Sequence, residues 1–247
     1  MKNIKLTIAY DGTNYHGWQI QPDKTTVQEV IKNTLTLILQ ENINLIGASR
    51  TDAKVHAKCQ VANFFTEKKI TSCDILLKLN KLLPQDIRIL KSEIVTKDFH
   101  ARKSAVCKTY EYFIYNAKIS SPFHRNFSWF IEKNLNIELL NNISSDLIGK
   151  RNFLSFTGQK SSVKTHTRTV YEAFWKKKGD FFIFTISANG FLKNMIRKTV
   201  GAIIAVNNGK ENKHFLKYLL AVKDRREGKY CAPPQGLYLS QIKYNTV

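Results

Sequence analysis

The sequence has little with which to staple itself. It holds four cysteines in 247 residues, Cys59, Cys73, Cys107 and Cys231. They are 14, 34 and 124 residues apart, so no CxxC pair exists, which argues against a zinc knuckle. Isolated thiols of this kind fit a reducing compartment. The six histidines include no HExxH pair. The glycines form no phosphate-cradling loop of the GxGxxG or GxxxxGK type. No stretch approaches the ~18 apolar residues that span a bilayer. The N-terminus, MKNIKLTIAY, alternates polar and apolar residues instead of building the apolar run of a signal peptide. Elimination leaves a cytoplasmic protein.

Acidic residues are the other shortage. Lys and Arg number 39 against 19 Asp and Glu, a net charge of +20. Hydrophobic residues make up 43% and charged residues 23%, both ordinary for a globular chain. This length suits one large domain or two modest ones, with a full core and no need of disulfides. The excess charge creates a long-range field for a polyanion. Nucleic acid is the first candidate and an acidic membrane surface the second. A coding bias toward Lys, Asn and Ile, with a merely solvated basic surface, is the plain alternative.

Periodicity supplies the elements. Ile4, Leu6 and Ile8 alternate with polar residues and predict a strand. Asp11 to Asn14 reads as a turn. Val27, Val30, Ile31, Leu35 and Ile38 recur at helical spacing, with Thr25 or Thr26 as cap. Strands follow over 60–65 and 87–95, separated by a helix from 72 to 83 that stops before Pro84. The run KTYEYFIYN, 108–116, is aromatic and β-branched, the surest strand in the chain. Further on, helices are predicted over 137–148, 191–206 and 213–221. Strands are predicted over 169–176, 181–188 and 236–242. Strands and helices mix without strict alternation, so the class is α+β. The expected architecture is two related α/β halves, 1–106 and 107–247, sharing a mostly antiparallel central sheet with a cleft between them.

Three windows can carry chemistry. Gly47 to Ala57, GASRTDAKVHA, sets Asp52 two residues after Arg50 among small neighbours. A carboxylate near a guanidinium stays ionised and can act as nucleophile or base. An aspartate bonding its own turn would look the same from spacing alone. In KTYEY, Tyr110 and Tyr112 share one strand face. A strand-borne aromatic can stack on an extruded base, or simply pack the sheet. In FLKNMIRK, Lys193 and Arg197 are four apart and would share a helical face. Arg197 lies among apolar residues, and a buried guanidinium needs an anionic partner.

Together the windows resemble the tRNA pseudouridine synthase A family, whose pattern around its catalytic aspartate is close to GAGRTDAGVHA. Similar stretches follow in family order along nearly the whole chain: Tyr10-Asp11-Gly12 with Gly17-Trp18-Gln19, Asp98 to Arg102, Lys108-Thr109-Tyr110, Phe191 to Gly201, and Gly236 to Leu239. The resemblance implies an isomerase that converts uridine to pseudouridine in the anticodon arm of tRNA, about positions 38 to 40. It implies a homodimer without cofactor or metal. Asp52 falls on the catalytic aspartate and Arg50 on the arginine that helps hold the flipped nucleotide. Tyr110 falls on the tyrosine that stacks on the target base. Arg197 falls on the basic residue that pairs with the carboxylate, and Leu237 on an apolar residue lining the uracil pocket. Two departures stand beside the catalytic loop, Ser49 and Lys54, each where the family has glycine. Either would be strained if its glycine served a positive φ.

Three other readings remain: an inactive RNA-binding protein of the same fold, a metal-dependent nuclease using Asp11 and Asp52, and a basic membrane-surface protein. The charge makes a direct prediction about RNA. Affinity for tRNA, measured by filter binding, should fall by roughly a thousandfold between about 50 and 200 mM salt, as release of counterions from six or more phosphates requires. A flat salt response would argue against a phosphate-binding surface.

Overall fold

A computed structural model describes residues 1–158 and 165–245. Contacts divide the chain into two compact units, Met1–Val106 with Tyr238–Val247, and Cys107–Leu237. The closing segment therefore groups with residues 1–106 and not with the C-terminal half to which its sequence position assigns it. Each unit is α+β.

In the first unit, β1 (Lys2–Tyr10) buries Ile4, Leu6, Ile8 and Tyr10 on one face, the pattern that the sequence alternation predicts. Helix α1 (Val27–Leu39) follows. Its residues Val27, Ile31 and Leu35 are fully buried at four-residue spacing, each worth ~1.5–3 kcal/mol. The short strand β2 (Ile46–Gly47) leads into the 48–55 loop. Strand β3 (His56–Thr66) is buried along most of its length, as a central strand must be. It pairs antiparallel with β1 and β2.

Helix α2 (Ser72–Leu82) packs on α1 and on strand β4 (Ile87–Val95), which pairs antiparallel with β1. Leu83 is extended, as the residue before a proline should be. The last strand, β10 (Leu237–Tyr244), runs parallel to β3 through Tyr238 and Leu239.

The second unit is built on β5 (Ala105–Asn116), β8 (Thr167–Lys178) and β9 (Phe181–Ala188). Strand β9 pairs antiparallel with both β5 and β8, and buries Phe182, Phe184 and Ile186 on one face. Gly179, at φ +57, turns the β8–β9 hairpin. In this unit two short strands went unpredicted, β6 (Trp129–Ile131), parallel to β5, and β7 (Gly149–Asn152), antiparallel to β8. Each is too brief to show a period.

Helix α3 (Ile137–Ser145) stops three residues before its predicted end, because Gly149 at φ +95 already starts the pairing of β7. Helix α4 (Met195–Asn207) begins four residues later than predicted. Asn194 is left-handed at φ 62, which no α-helix can continue through. Lys193 therefore precedes the helix and does not share a helical face with Arg197. Helix α5 (Phe215–Val222) packs on α4. No described helix is long and apolar enough to cross a membrane.

The start of α2 offers a clean test of local energetics. Thr71 accepts from the Asp74 N–H at 3.0 Å while the Asp74 carboxylate reaches back to Thr71. This is a reciprocal capping box. Thr71→Ala should lower unfolding free energy by about 1 kcal/mol in a denaturant melt. A loss within ~0.2 kcal/mol of zero would show that the box contributes nothing at this exposed end.

Candidate active site

The loop carrying Asp52 rests on the segment from Asp11 to Trp18. Trp18 N–H donates to the Thr51 carbonyl at 3.2 Å, and Lys54 N–H to the Tyr15 carbonyl at 3.1 Å. The approach is so close that glycine is required. A Cβ on Gly17, which is at φ +89, would lie 2.5 Å from the Thr51 oxygen. A Cβ on Gly12 would lie 2.1 Å from the Val55 oxygen, and one on Gly47 would strike the Trp18 indole. Trp18 itself is buried and stacks on Tyr10 with ring centroids 6.1 Å apart.

The same segment serves α1. The N–H groups of Val27 and Gln28 donate to the carbonyls of Gly17 and Trp18. Thr26 holds the N-cap position, yet its hydroxyl makes no cap bond. Backbone carbonyls do the capping that sequence assigned to a threonine side chain.

Within the loop, the Thr51 hydroxyl pairs with the Tyr10 hydroxyl at 2.8 Å, both buried. Ser49 is gripped through its backbone. Its N–H donates to Gln60 Oε1 at 3.2 Å, and its carbonyl accepts from Gln60 Nε2 at 2.8 Å. Between these fixed points stands Arg50, exposed, and just past them Asp52, half-buried, with the Asp52 carbonyl accepting from Val55 N–H at 3.2 Å. His56 is buried, accepts from Gly12 N–H through Nδ1 at 3.0 Å, and stacks on Tyr238 at 4.6 Å. Asp11 accepts from the Thr13 N–H and hydroxyl and lies 3.1 Å from His56 Nδ1. Among the described residues, no three His, Cys, Asp or Glu side chains form a metal-ligand group.

The two departures separate here. Lys54 is left-handed at φ 63, so the lysine occupies a backbone conformation that favours glycine. Ser49 is not among the positive-φ residues.

The remaining candidates belong to the second unit. Tyr110 on β5 is buried and meets Phe191 edge to face at 5.1 Å. Its neighbour on that face, Tyr112, is fully buried and donates to the Pro233 carbonyl at 2.7 Å. Burial pushes the Tyr112 phenol well above its ordinary pKa, with Arg197 opposing, so it stays a donor.

Arg197, half-buried on α4, donates through Nε to the Ala232 carbonyl at 2.8 Å. Ala232 N–H returns a bond to the Arg197 carbonyl at 2.9 Å. Gly201, one turn on, leaves room for this strap, since a Cβ there would lie 2.9 Å from the Cys231 nitrogen. Gly236 lies against Tyr112, where a Cβ would come within 2.7 Å of Cζ. Leu237, which follows it, is buried.

Comparison with known proteins agrees along the whole chain. A family model described as tRNA pseudouridine synthase matches residues 6–102 and 143–245. The chain belongs to the tRNA pseudouridine synthase family. Among similar curated members is a tRNA pseudouridine synthase A of Thermoanaerobacter sp. (strain X514), 45% identical over 99% of this chain and 100% of its own. Another, from Ruminiclostridium cellulolyticum, is 42% identical over the same shares of each chain. A tRNA pseudouridine synthase A 2 of Clostridium perfringens is 39% identical, again over 99% and 100%.

Sequence reasoning in this family's terms named Asp52, Arg50, Tyr110, Arg197 and Leu237 as candidates, and did not single out Gln60 and Thr51, whose hydrogen bonds hold the loop. Gln60 did leave a signal: it is a polar residue at the head of a largely apolar strand segment, QVANFF.

Lys54 can be tested directly. A non-glycine residue in the left-handed region costs about 1–2 kcal/mol, against ~0.4–1 kcal/mol for the extra unfolded-state entropy of glycine. Lys54→Gly should therefore raise unfolding free energy by roughly 0.5 kcal/mol in a denaturant melt. A clear loss of stability would mean that the lysine side chain makes compensating contacts.

Proposed function

We propose that this chain isomerises uridine to pseudouridine in tRNA, at uridines of the anticodon arm around positions 38 to 40. The observation that carries this reading is the likeness to tRNA pseudouridine synthase A, which runs the full length of both chains at 45% identity. The pinned glycine-lined loop supports it, because a carboxylate that must meet one reacting atom needs a fixed backbone beneath it.

The reaction breaks the bond from ribose to uracil N1, turns the uracil and joins C5 to the ribose, releasing the C5 proton. A base stacked in an RNA helix is out of reach, so the nucleotide must leave the stack first. In this reading Asp52 supplies the essential carboxylate, as nucleophile or as base. Arg50 helps hold the displaced nucleotide. Tyr110 stacks on the target base, and Leu237 lines the uracil pocket. Arg197 pairs with the catalytic carboxylate. Its bonds to Ala232 support that role, since they fix the guanidinium plane before substrate arrives. The surplus of basic residues binds tRNA phosphates. We also read the enzyme as a cytoplasmic homodimer that needs no cofactor or metal. The resemblance supports the dimer, and the scattered thiols support a reducing compartment.

Tritium release from C5-labelled uridine in a tRNA transcript tests this, with chelator present. The native protein should release tritium and Asp52→Asn should fall to background. Release by both proteins would remove Asp52 from its role. Release by neither, with tRNA binding intact, would favour an inactive RNA-binding protein. Chelator-sensitive cleavage of the transcript, with no tritium released, would favour a metal-dependent nuclease instead.

A further inference from the structure

We infer that Gln60 is a positioning residue for catalysis, its side-chain amide standing in for a backbone peptide to aim the Asp52 loop. Strand β2 runs antiparallel to β3 with Ile46 opposite Asn63 and Gly47 opposite Ala62. Ala48 N–H continues the ladder to the Val61 carbonyl at 2.8 Å. Bonded and unbonded pairs alternate along an antiparallel ladder, so Ser49 stands opposite the backbone of residue 60 at an unbonded pair and receives no backbone rung there. That backbone is engaged on the opposite edge, in register with Ile8 of β1, beside the register shift between Ile8 and Tyr10.

The Gln60 carboxamide fills the place. It has one carbonyl and one amino group, the same donor and acceptor set as a peptide. It accepts the Ser49 N–H and donates to the Ser49 carbonyl. Its second lone pair accepts from Val61 N–H at 3.2 Å. The side chain is fully buried. A buried amide so engaged is held in one orientation, because any rotation leaves polar atoms without partners.

The ladder ends at this rung. Beyond it the chain departs as Arg50-Thr51-Asp52 and is caught again where Thr51 meets Tyr10. Gln60 thus sets the point and direction from which the loop leaves the sheet, three residues before the carboxylate. Neighbouring register alone would leave Ser49 free to fray, as the end of a two-residue strand does. A misplacement of about 1 Å at a reacting group can cost a hundredfold in rate, without touching the groups that bind substrate.

The inference rests on Asp52 as the essential carboxylate, so its test carries native and Asp52→Asn controls in the tritium assay. Single-turnover rates at saturating enzyme are measured for Gln60→Leu and Gln60→Glu, together with tRNA affinity and thermal melting. Gln60→Leu should turn over at least about tenfold slower, with tRNA affinity within about threefold of native, a loss in kcat alone.

Gln60→Glu keeps the shape and is the safeguard should the leucine variant fold poorly. Its ionised carboxylate cannot donate to the Ser49 carbonyl, whereas its protonated form can. Burial raises the pKa of such a group. The rate of Gln60→Glu relative to native should therefore climb as pH falls from 8 to 6, while thermal melting shows the variant fully folded at the assay temperature throughout. A climb that merely tracks the folded fraction would mark a structural role and overturn the inference. The inference is overturned if Gln60→Glu stays within twofold of native at every pH, or if a folded Gln60→Leu matches the native single-turnover rate at saturating enzyme. If the native protein itself releases no tritium, the proposed function fails first.

Discussion

Everything about the first unit turns on how closely two stretches of backbone are allowed to meet. The segment from Asp11 to Trp18 and the loop from Ala48 to Val55 lie near enough to exclude side chains at Gly12 and Gly17, and Gly47 gives way to the Trp18 indole. That approach does three things at once. It seats the loop under Asp52, closes the first turn of α1 with two carbonyls, and buries an aromatic pair, Tyr10 and Trp18, between the parts. Helix α1 and the candidate loop thus share one set of backbone hydrogen bonds. Disturbing any of the three glycines would reach both of them.

The second unit uses the same device with different elements. Gly201 admits the strap from Tyr230 to Ala232 against α4, and Gly236 admits its own turn against Tyr112. The strap holds Arg197 through Nε, and the turn is fastened by the Tyr112 hydroxyl on Pro233. The candidate residue Arg197 therefore stands one turn from a position where backbone contact sets the geometry, and Leu237 follows a glycine confined by the Tyr112 ring and the Phe113 carbonyl.

Much of this was legible in the sequence. Alternation located β1 and β9, helical spacing located α1 and α2, and Pro84 marked where α2 had to stop. The motif around Asp52 pointed to the family before any coordinates. What stayed hidden falls into two physical classes. Strands β2, β6 and β7 are two to four residues long and exist because a neighbour offers hydrogen bonds. The start of α4 is set by one left-handed residue, Asn194, whose φ no periodicity records. The cap of α1 failed for a related reason. Thr26 fits the N-cap position in composition, but distant carbonyls had already satisfied the helix. Gln60 was read correctly as part of a strand and overlooked as anything more.

Fastening a loop by its main chain has a consequence for how the sequence can drift. Gln60 grips the peptide groups of Ser49 and ignores its side chain. Position 49 can then exchange glycine for serine across generations while the loop keeps its path. Position 54 lacks that licence, because its constraint lies in the backbone angle itself. The two departures from the family pattern look alike on the page of residues. In evolutionary terms one is a free substitution and the other a debt carried in the fold.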